Sequence, residues 1–239
     1  SDLTPSPVLK ALAARGAQIF IGHDAHNVDG ATIVVHTAAV HPDNPEMRAA
    51  AQAGIPIMER AVLLGQLMAQ YEVAIGIAGT HGKTSTTALT STILELAGTD
   101  PTIHIGGRLD LIDGSTKSGA GNIFVTEACE YVESFLKLKP TIAIILNIDN
   151  DHLDYFRDID HIQMAFTRYA ALVPAAGTLI VNADDPRCMQ VLESAACHKV
   201  TFALENQDAT WRADNICFDA QGFASFDVLH DGTLFDRFT

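Results

Sequence analysis

The segment that most constrains the fold is Gly79-Thr80-His81-Gly82-Lys83-Thr84-Ser85. It follows a short apolar run, Val73 to Ala78, and opens into a helix-compatible stretch, Thr84 to Leu96. Strand, glycine loop, Lys-Thr and helix form an arrangement that cradles phosphates. Glycines let backbone N–H groups approach an anion, and the helix N-terminus adds partial positive charge. In such a loop Lys83 reaches the outer phosphates of a nucleotide and the Thr84 hydroxyl sits on Mg²⁺. The general consensus also wants a glycine at the position of Ile77, and Gly76 comes one place too early. A glycine turn that merely capped a helix would give Lys-Thr no purpose. The segment therefore reads as a phosphate loop of a particular subtype, with residues 79 to 85 as nucleotide-binding residues.

Around this loop, apolar β-rich runs alternate with helical segments, which predicts an α/β fold with a mainly parallel sheet. In the first part, Ser6 caps a helix that has Pro7 at its first position and Gly16 just past its end. Gln18–Ile21 and Ala31–Val35 read as strands, Asn44-Pro45 to Gly54 as a capped helix, and Glu59 to Gln70 as a helix with core-facing leucine and methionine. Strand signals restart near Tyr71 and Glu72, so the division falls into residues 1–71 and 72–239. The second part predicts strands at Val73–Ala78, Asn122–Thr126, Thr141–Leu146, Thr178–Val181 and Lys199–Phe202. Helices follow at Thr84–Ala97, Ile159–Val173 and Asp185–Ala195. From Ala209 the pattern becomes a small antiparallel β section, where Phe223–Leu229 and Thr233–Phe238 flank the hairpin signal Asp231-Gly232.

Composition narrows the chemistry. A net charge of -14 over 239 residues argues against nucleic-acid binding, which needs clustered Lys and Arg. It does not oppose ATP, because loop N–H groups, Lys83 and Mg²⁺ supply a local positive field. Cys129, Cys188, Cys197 and Cys217 have no metal-ligand spacing and read as free thiols of a cytoplasmic protein. No apolar run approaches the ~20 residues of a membrane span. Nothing in the sequence sets an oligomeric state.

Glu127 lies just past a predicted strand, and His152 lies in the loop after the next one. In doubly wound sheets, ligand sites gather at the carboxyl ends of the strands. A carboxylate suits Mg²⁺, whereas the pattern alone leaves His152 between a ligand and a core or capping role. Asn147 and Asp151 read either as groups orienting a ligand or as turn residues. Asp185-Pro186 reads as a helix cap.

Five segments together resemble the Mur ligase superfamily, ATP-dependent enzymes of bacterial peptidoglycan precursor synthesis. Beside the loop they are Thr37-Ala-Ala-Val-His-Pro-Asp-Asn-Pro-Glu46, Glu127-Ala-Cys-Glu-Tyr131, Asn147-Ile-Asp-Asn-Asp-His152 and Asn182-Ala-Asp-Asp-Pro186. The resemblance implies a partial Rossmann-like domain binding a UDP-sugar, followed by a P-loop central domain binding ATP. It implies that Glu127 and His152, with Thr84, hold magnesium around the γ-phosphate, and that Lys83, Glu127 and His152 carry catalysis. It also implies that Asp2 meets ribose hydroxyls, Thr37 meets the uridine diphosphate, and His104 and Gly107 approach the muramoyl group. Several branches carry a carbamylated lysine beyond the magnesium histidine. No lysine occurs here between His152 and Lys199, and the expected region reads Phe166-Thr167-Arg168. That agrees with the branch joining L-alanine to UDP-N-acetylmuramate. The alternatives are the recycling branch, which attaches a ready-made tripeptide, and a nucleotide-binding module without ligase activity. Members of the family also carry a glycine-rich turn ahead of the position of Ser1, and a third domain beyond that of Thr239. The present chain is accordingly expected to be a front portion that does not turn over alone. Replacement of Lys83 by alanine is expected to abolish turnover and leave the fold intact.

Overall fold

In the computed structural model, which describes residues 1–239, helix starts follow their capping residues closely. Ser6 Oγ accepts from the Leu9 amide, and α1 runs Pro7–Ala14. Asn44 accepts from the Glu46 amide at 2.9 Å, and α2 runs Pro45–Gln52. Two short strands, β1 (Val34–His36) and β2 (Ile57–Glu59), pair in parallel before α3 (Arg60–Met68). The strand expected at Gln18–Ile21 is not formed. Its backbone pairs with Asp2 alone, in one isolated parallel bridge to Ile21. A single bridge propagates no ladder, because each strand residue depends on a paired neighbour. Contacts divide the chain into two units, Ser1–Leu64 and Gly65–Thr239.

The second unit is built on one ten-stranded sheet. β3 (Val73–Ala78) leads through α4 (Lys83–Leu96) to β4 (Thr102–Leu109), β5 (Gly114–Lys117) and β6 (Ile123–Glu127). Then come β7 (Ile142–Ile145), α5 (Ile159–Ala170), β8 (Thr178–Asn182), α6 (Pro186–Ser194) and β9 (His198–Ala203). The chain ends in β10 (Trp211–Phe218), β11 (Ala224–His230) and β12 (Thr233–Phe238). The spatial order is β12-β11-β10-β9-β8-β7-β3-β6-β4-β5. From β10 to β4 every pairing is parallel, while β10-β11-β12 and β4-β5 are antiparallel. The fold is thus the expected mainly parallel α/β sheet with a small antiparallel section.

Strand β3 sits between β6 and β7 and is buried along almost its whole length, which explains its unbroken apolar run. Ile75 and Ile77 pack with Val125 and Leu94 on one side. Towards the other side lies Tyr169, whose ring stacks on Phe135 with centroids 4.7 Å apart. Gly76 belongs to that packing and not to the phosphate loop: a Cβ there would stand 2.2 Å from the Tyr169 hydroxyl. Helix α5 carries Phe166 fully buried and Arg168 on an exposed ion pair with Glu133 at 2.7 Å. No helix is long and apolar enough to cross a membrane.

Candidate functional site

The carboxyl ends of β3, β6 and β7 meet where the chain, having left β6, passes to the opposite side of β3. That is where doubly wound sheets place ligands. From β3 the chain turns through Gly79 (φ 143°) and Gly82 (φ 83°) into α4, whose first residue is Lys83. Both backbone conformations disfavour an L side chain, so the two glycines set the loop. The α4 N-terminus has no side-chain cap. Its first N–H groups, which no helix can pair internally, thus lack a side-chain acceptor as well and suit an anion.

The loop is braced from β7. The Asn147 side chain grips both sides of His81, accepting from its amide at 2.8 Å and donating to its carbonyl at 3.1 Å. Thr80 donates its amide to Asn147 O and exchanges hydrogen bonds with Asp149 through its hydroxyl. Of the two readings left open for Asn147, the structure gives a third: it holds the phosphate loop itself. One layer out, Asp185 caps α6 through the Arg187 and Cys188 amides and also accepts from the Ile148 amide at 2.8 Å. The expected cap thereby also fixes the β7 loop.

Lys83 lies along the loop. Its ammonium donates to Gly79 O at 2.6 Å, Thr80 O at 3.1 Å and Glu130 Oε1 at 3.0 Å. Glu130 was not singled out by the sequence reading, although it sits inside the Glu127–Tyr131 motif. Its side chain is 2% exposed, and a fully buried acid is rare unless paired. A carboxylate placed among small and apolar residues just past a buried strand was the signal available.

Glu127 stands at the end of β6 and accepts from the Gly106 amide at 2.6 Å. The next residue, Gly107, passes so close to α4 that a Cβ would lie 3.0 Å from Thr84 Cγ2. Strand β4 therefore brings Gly106 and Gly107 against the helix start, with Glu127 and Thr84 on either side. His104, on the same strand, contacts Thr116 Oγ1 at 3.1 Å.

His152, held at φ 50°, brings its Nε2 to 3.9 Å from both Glu130 Oε1 and Asp151 Oδ2, and its ring is 4.7 Å from that of Tyr131. Ligand atoms of Glu130, Asp151 and His152 all lie within 4.8 Å of one another. The structure thus groups His152 with Glu130 and Asp151, while Glu127 is turned to the Gly106 amide. Two of the three donors here are hard carboxylate oxygens, a set that fits a divalent cation such as Mg²⁺. Cys129 adjoins this group; the residue is exposed, yet desolvation of its thiol by the surrounding atoms raises it above the ordinary range, so it is no ready nucleophile. All four cysteines are free.

In the first unit, Asp2 and Thr37 line one cleft of about 450 Å³ together with Ser1, His23, His36 and Glu46. Burial works against the charge of Glu46, but hydrogen bonds from Asn27, Ser1 and His23 hold its carboxyl below the usual range.

Comparison with known proteins places these features. Residues 77–236 match the model of the Mur ligase middle domain, and residues 1–72 match that of the Mur ligase family, catalytic domain. Two curated relatives are named UDP-N-acetylmuramate–L-alanine ligase. That of Acetivibrio thermocellus is 47% identical over 97% of this chain and 49% of its own. That of Alkaliphilus metalliredigens is 47% identical over 100% of this chain and 52% of its own. The chain spans about half the length of these relatives. Among solved structures, a UDP-N-acetylmuramate:L-alanyl-γ-D-glutamyl-meso-diaminopimelate ligase from Neisseria meningitides superposes with a TM-score of 0.86 at 27% identity, covering 99% of this chain and 77% of that one. A UDP-N-acetylmuramate–alanine ligase from Thermotoga maritima gives 0.80 at 26%, covering 95% of this chain and 51% of that one. With one family model covering more than half of its residues and a second covering its first part, the chain belongs to the Mur ligase family.

Proposed function

We propose that this chain is the front portion of an ATP-dependent ligase that joins L-alanine to the lactyl carboxylate of UDP-N-acetylmuramate in the cytoplasm. Residues 1–71 then serve as the UDP-sugar domain and residues 72–239 as the ATP domain. The observation that carries the reading is the loop of residues 79–85, braced by Asn147 and flanked by Glu127 and His152, in a chain 47% identical to proteins of that name.

In the proposed reaction the lactyl carboxylate attacks the γ-phosphorus of ATP, the bond to the β–γ bridging oxygen breaks, and ADP leaves. The amine of L-alanine adds to the resulting acyl phosphate, loses a proton, and expels phosphate from the tetrahedral intermediate. No protein nucleophile is required. The residues act by alignment and by neutralising charge on the transferring phosphoryl group. Lys83 and the amides of residues 79–85 hold the phosphates. Thr84 and Glu127 at the helix start, and His152 in the neighbouring group with Glu130 and Asp151, would hold Mg²⁺, which would supply further charge neutralisation. Gly106 fixes the Glu127 carboxylate through its amide. Asp2 and Thr37 take the uridine diphosphate, and His104 and Gly107 approach the muramoyl group.

Phosphate release by the full-length protein with ATP, Mg²⁺ and UDP-N-acetylmuramate tests this reading, with L-alanine and the tripeptide compared as acceptors. Release dependent on L-alanine is expected. Release only with the tripeptide would assign the recycling reaction. Nucleotide binding without release in the full-length protein would leave a binding module.

A further inference from the structure

All three N–H bonds of the Lys83 ammonium are already taken, by Gly79 O, Thr80 O and Glu130 Oε1. An ammonium has three donors and no more. A phosphate oxygen reaching Lys83 must therefore displace one of these acceptors. Two of them are neutral loop carbonyls. The third is a carboxylate from the segment after β6, 47 residues away in sequence, and it competes with phosphate in kind: one anion against another.

We infer that Glu130 is a positioning residue that latches Lys83 against the loop while nucleotide is absent and yields it to the phosphates on binding. The inference rests on the nucleotide site proposed above. Lys83 is the one hydrogen-bond donor that reaches the Glu130 carboxylate, whose Oε2 has none although it too lies 3.0 Å from Nζ. The pair is shielded, with side-chain exposures of 15% for Lys83 and 2% for Glu130, so solvent screens it little. The released carboxylate keeps a polar neighbour, His152 Nε2 at 3.9 Å, so that opening the latch does not strand it among apolar groups. The latch has two consequences. It keeps the loop collapsed onto its own lysine when empty, and it sets a threshold that only a multiply charged phosphate chain overcomes.

The experiment is equilibrium binding of ADP, without divalent metal, to the wild-type chain and to Glu130→Gln. Glutamine keeps the shape and a carbonyl acceptor but removes the charge. Binding about tenfold tighter is expected, the size of one charge-assisted hydrogen bond no longer given up. Glu130→Asp, which keeps the charge, should bind close to wild type. A general loss of repulsion would also tighten binding, so the decisive readout is the same substitution in a Lys83→Met background. There the gain should vanish, since no ammonium remains to be released. Unchanged or weaker binding in a folded Glu130→Gln, or an equal gain with and without Lys83, overturns the latch. If Glu130→Gln does not fold, ¹⁵N-lysine spectra of the wild type serve instead. The Lys83 ammonium resonance should move on adding ADP, and an unmoved resonance at saturation overturns the inference. Failure of the wild type to bind ADP would overturn the nucleotide site itself and the latch with it.

Discussion

Replacing Lys83 by methionine should cost stability as well as nucleotide binding. The long apolar methionine stem fills much of the lysine's volume, so the main change is the loss of charge beside Glu130. That carboxylate is buried, and Lys83 supplies its hydrogen bond. Removing one partner of a buried pair typically costs about 3–5 kcal/mol, because the other is left as an uncompensated charge. Lys83 keeps 15% of its side chain exposed, and the nearby His152 offers partial compensation. The lower end, about 3 kcal/mol, is therefore appropriate. For a unit of this size about 2–4 °C of melting temperature accompanies each kcal/mol, which gives a drop of about 6–12 °C. Neutralising the carboxylate in the double variant Lys83→Met/Glu130→Gln should recover about 2 kcal/mol of that loss, since coupled neighbours are not additive. Urea and thermal denaturation at pH 7 measure all four forms. The reasoning is refuted if Lys83→Met melts within about 2 °C of wild type, or if the two single costs simply add. A drop of this size still leaves the fold intact, as the sequence leads one to expect.

Three further outcomes follow from the same structure. Gly76→Ala should destabilise by about 1–3 kcal/mol through overpacking against the Tyr169 hydroxyl; adding Tyr169→Phe should restore most of it, because that buried hydroxyl has no hydrogen-bond partner to lose. Asn147→Ala, which deletes two bonds to His81, should weaken ADP binding by about tenfold with little change in melting, since the loop it braces is largely exposed; an unaltered affinity, measured by titration calorimetry, would remove Asn147 from the site. The Arg237 guanidinium, with Asn215, holds the Asp227 carboxyl at about 2, below its ordinary 3.8. A depressed carboxyl stabilises the fold above its unfolded pKa, so this contribution is full above about pH 4 and is lost as pH falls through about 2. Urea midpoints for wild type and Asp227→Asn should therefore converge on acidification across that window, and parallel curves would contradict the assignment.

The elements read most clearly from sequence were those whose signals are local. Ser6, Asn44 and Asp185 each cap the helix expected of them, and the buried β3 announced itself as an unbroken apolar run beside the glycine loop. Strand β4 went unread because Gly106 and Gly107 interrupt its apolar pattern, and β5 because Gly-Ser-Thr-Lys carries no apolar signal; β4 takes its place by pairing with β6 and through the Gly106 amide held by Glu127, and β5 by pairing with β4. Gln18–Ile21 has strand-like composition, but composition cannot supply a partner ladder. In the site, the glycines and Lys83 were legible because phosphate chemistry dictates their type and spacing. Glu130 was not, because a buried ion pair joining residues 47 positions apart leaves no periodic trace. Asn147 was legible as a residue of the site but its bonding partner was not, since its grip on His81 depends on β7 lying beside β3.

The most direct test of the account is a structure of the protein with a non-hydrolysable ATP analogue and Mg²⁺. The account predicts the β- and γ-phosphates against the amides of residues 79–85, with Lys83 Nζ moved from Glu130 onto a phosphate oxygen. Nucleotide bound elsewhere with this loop empty would contradict it.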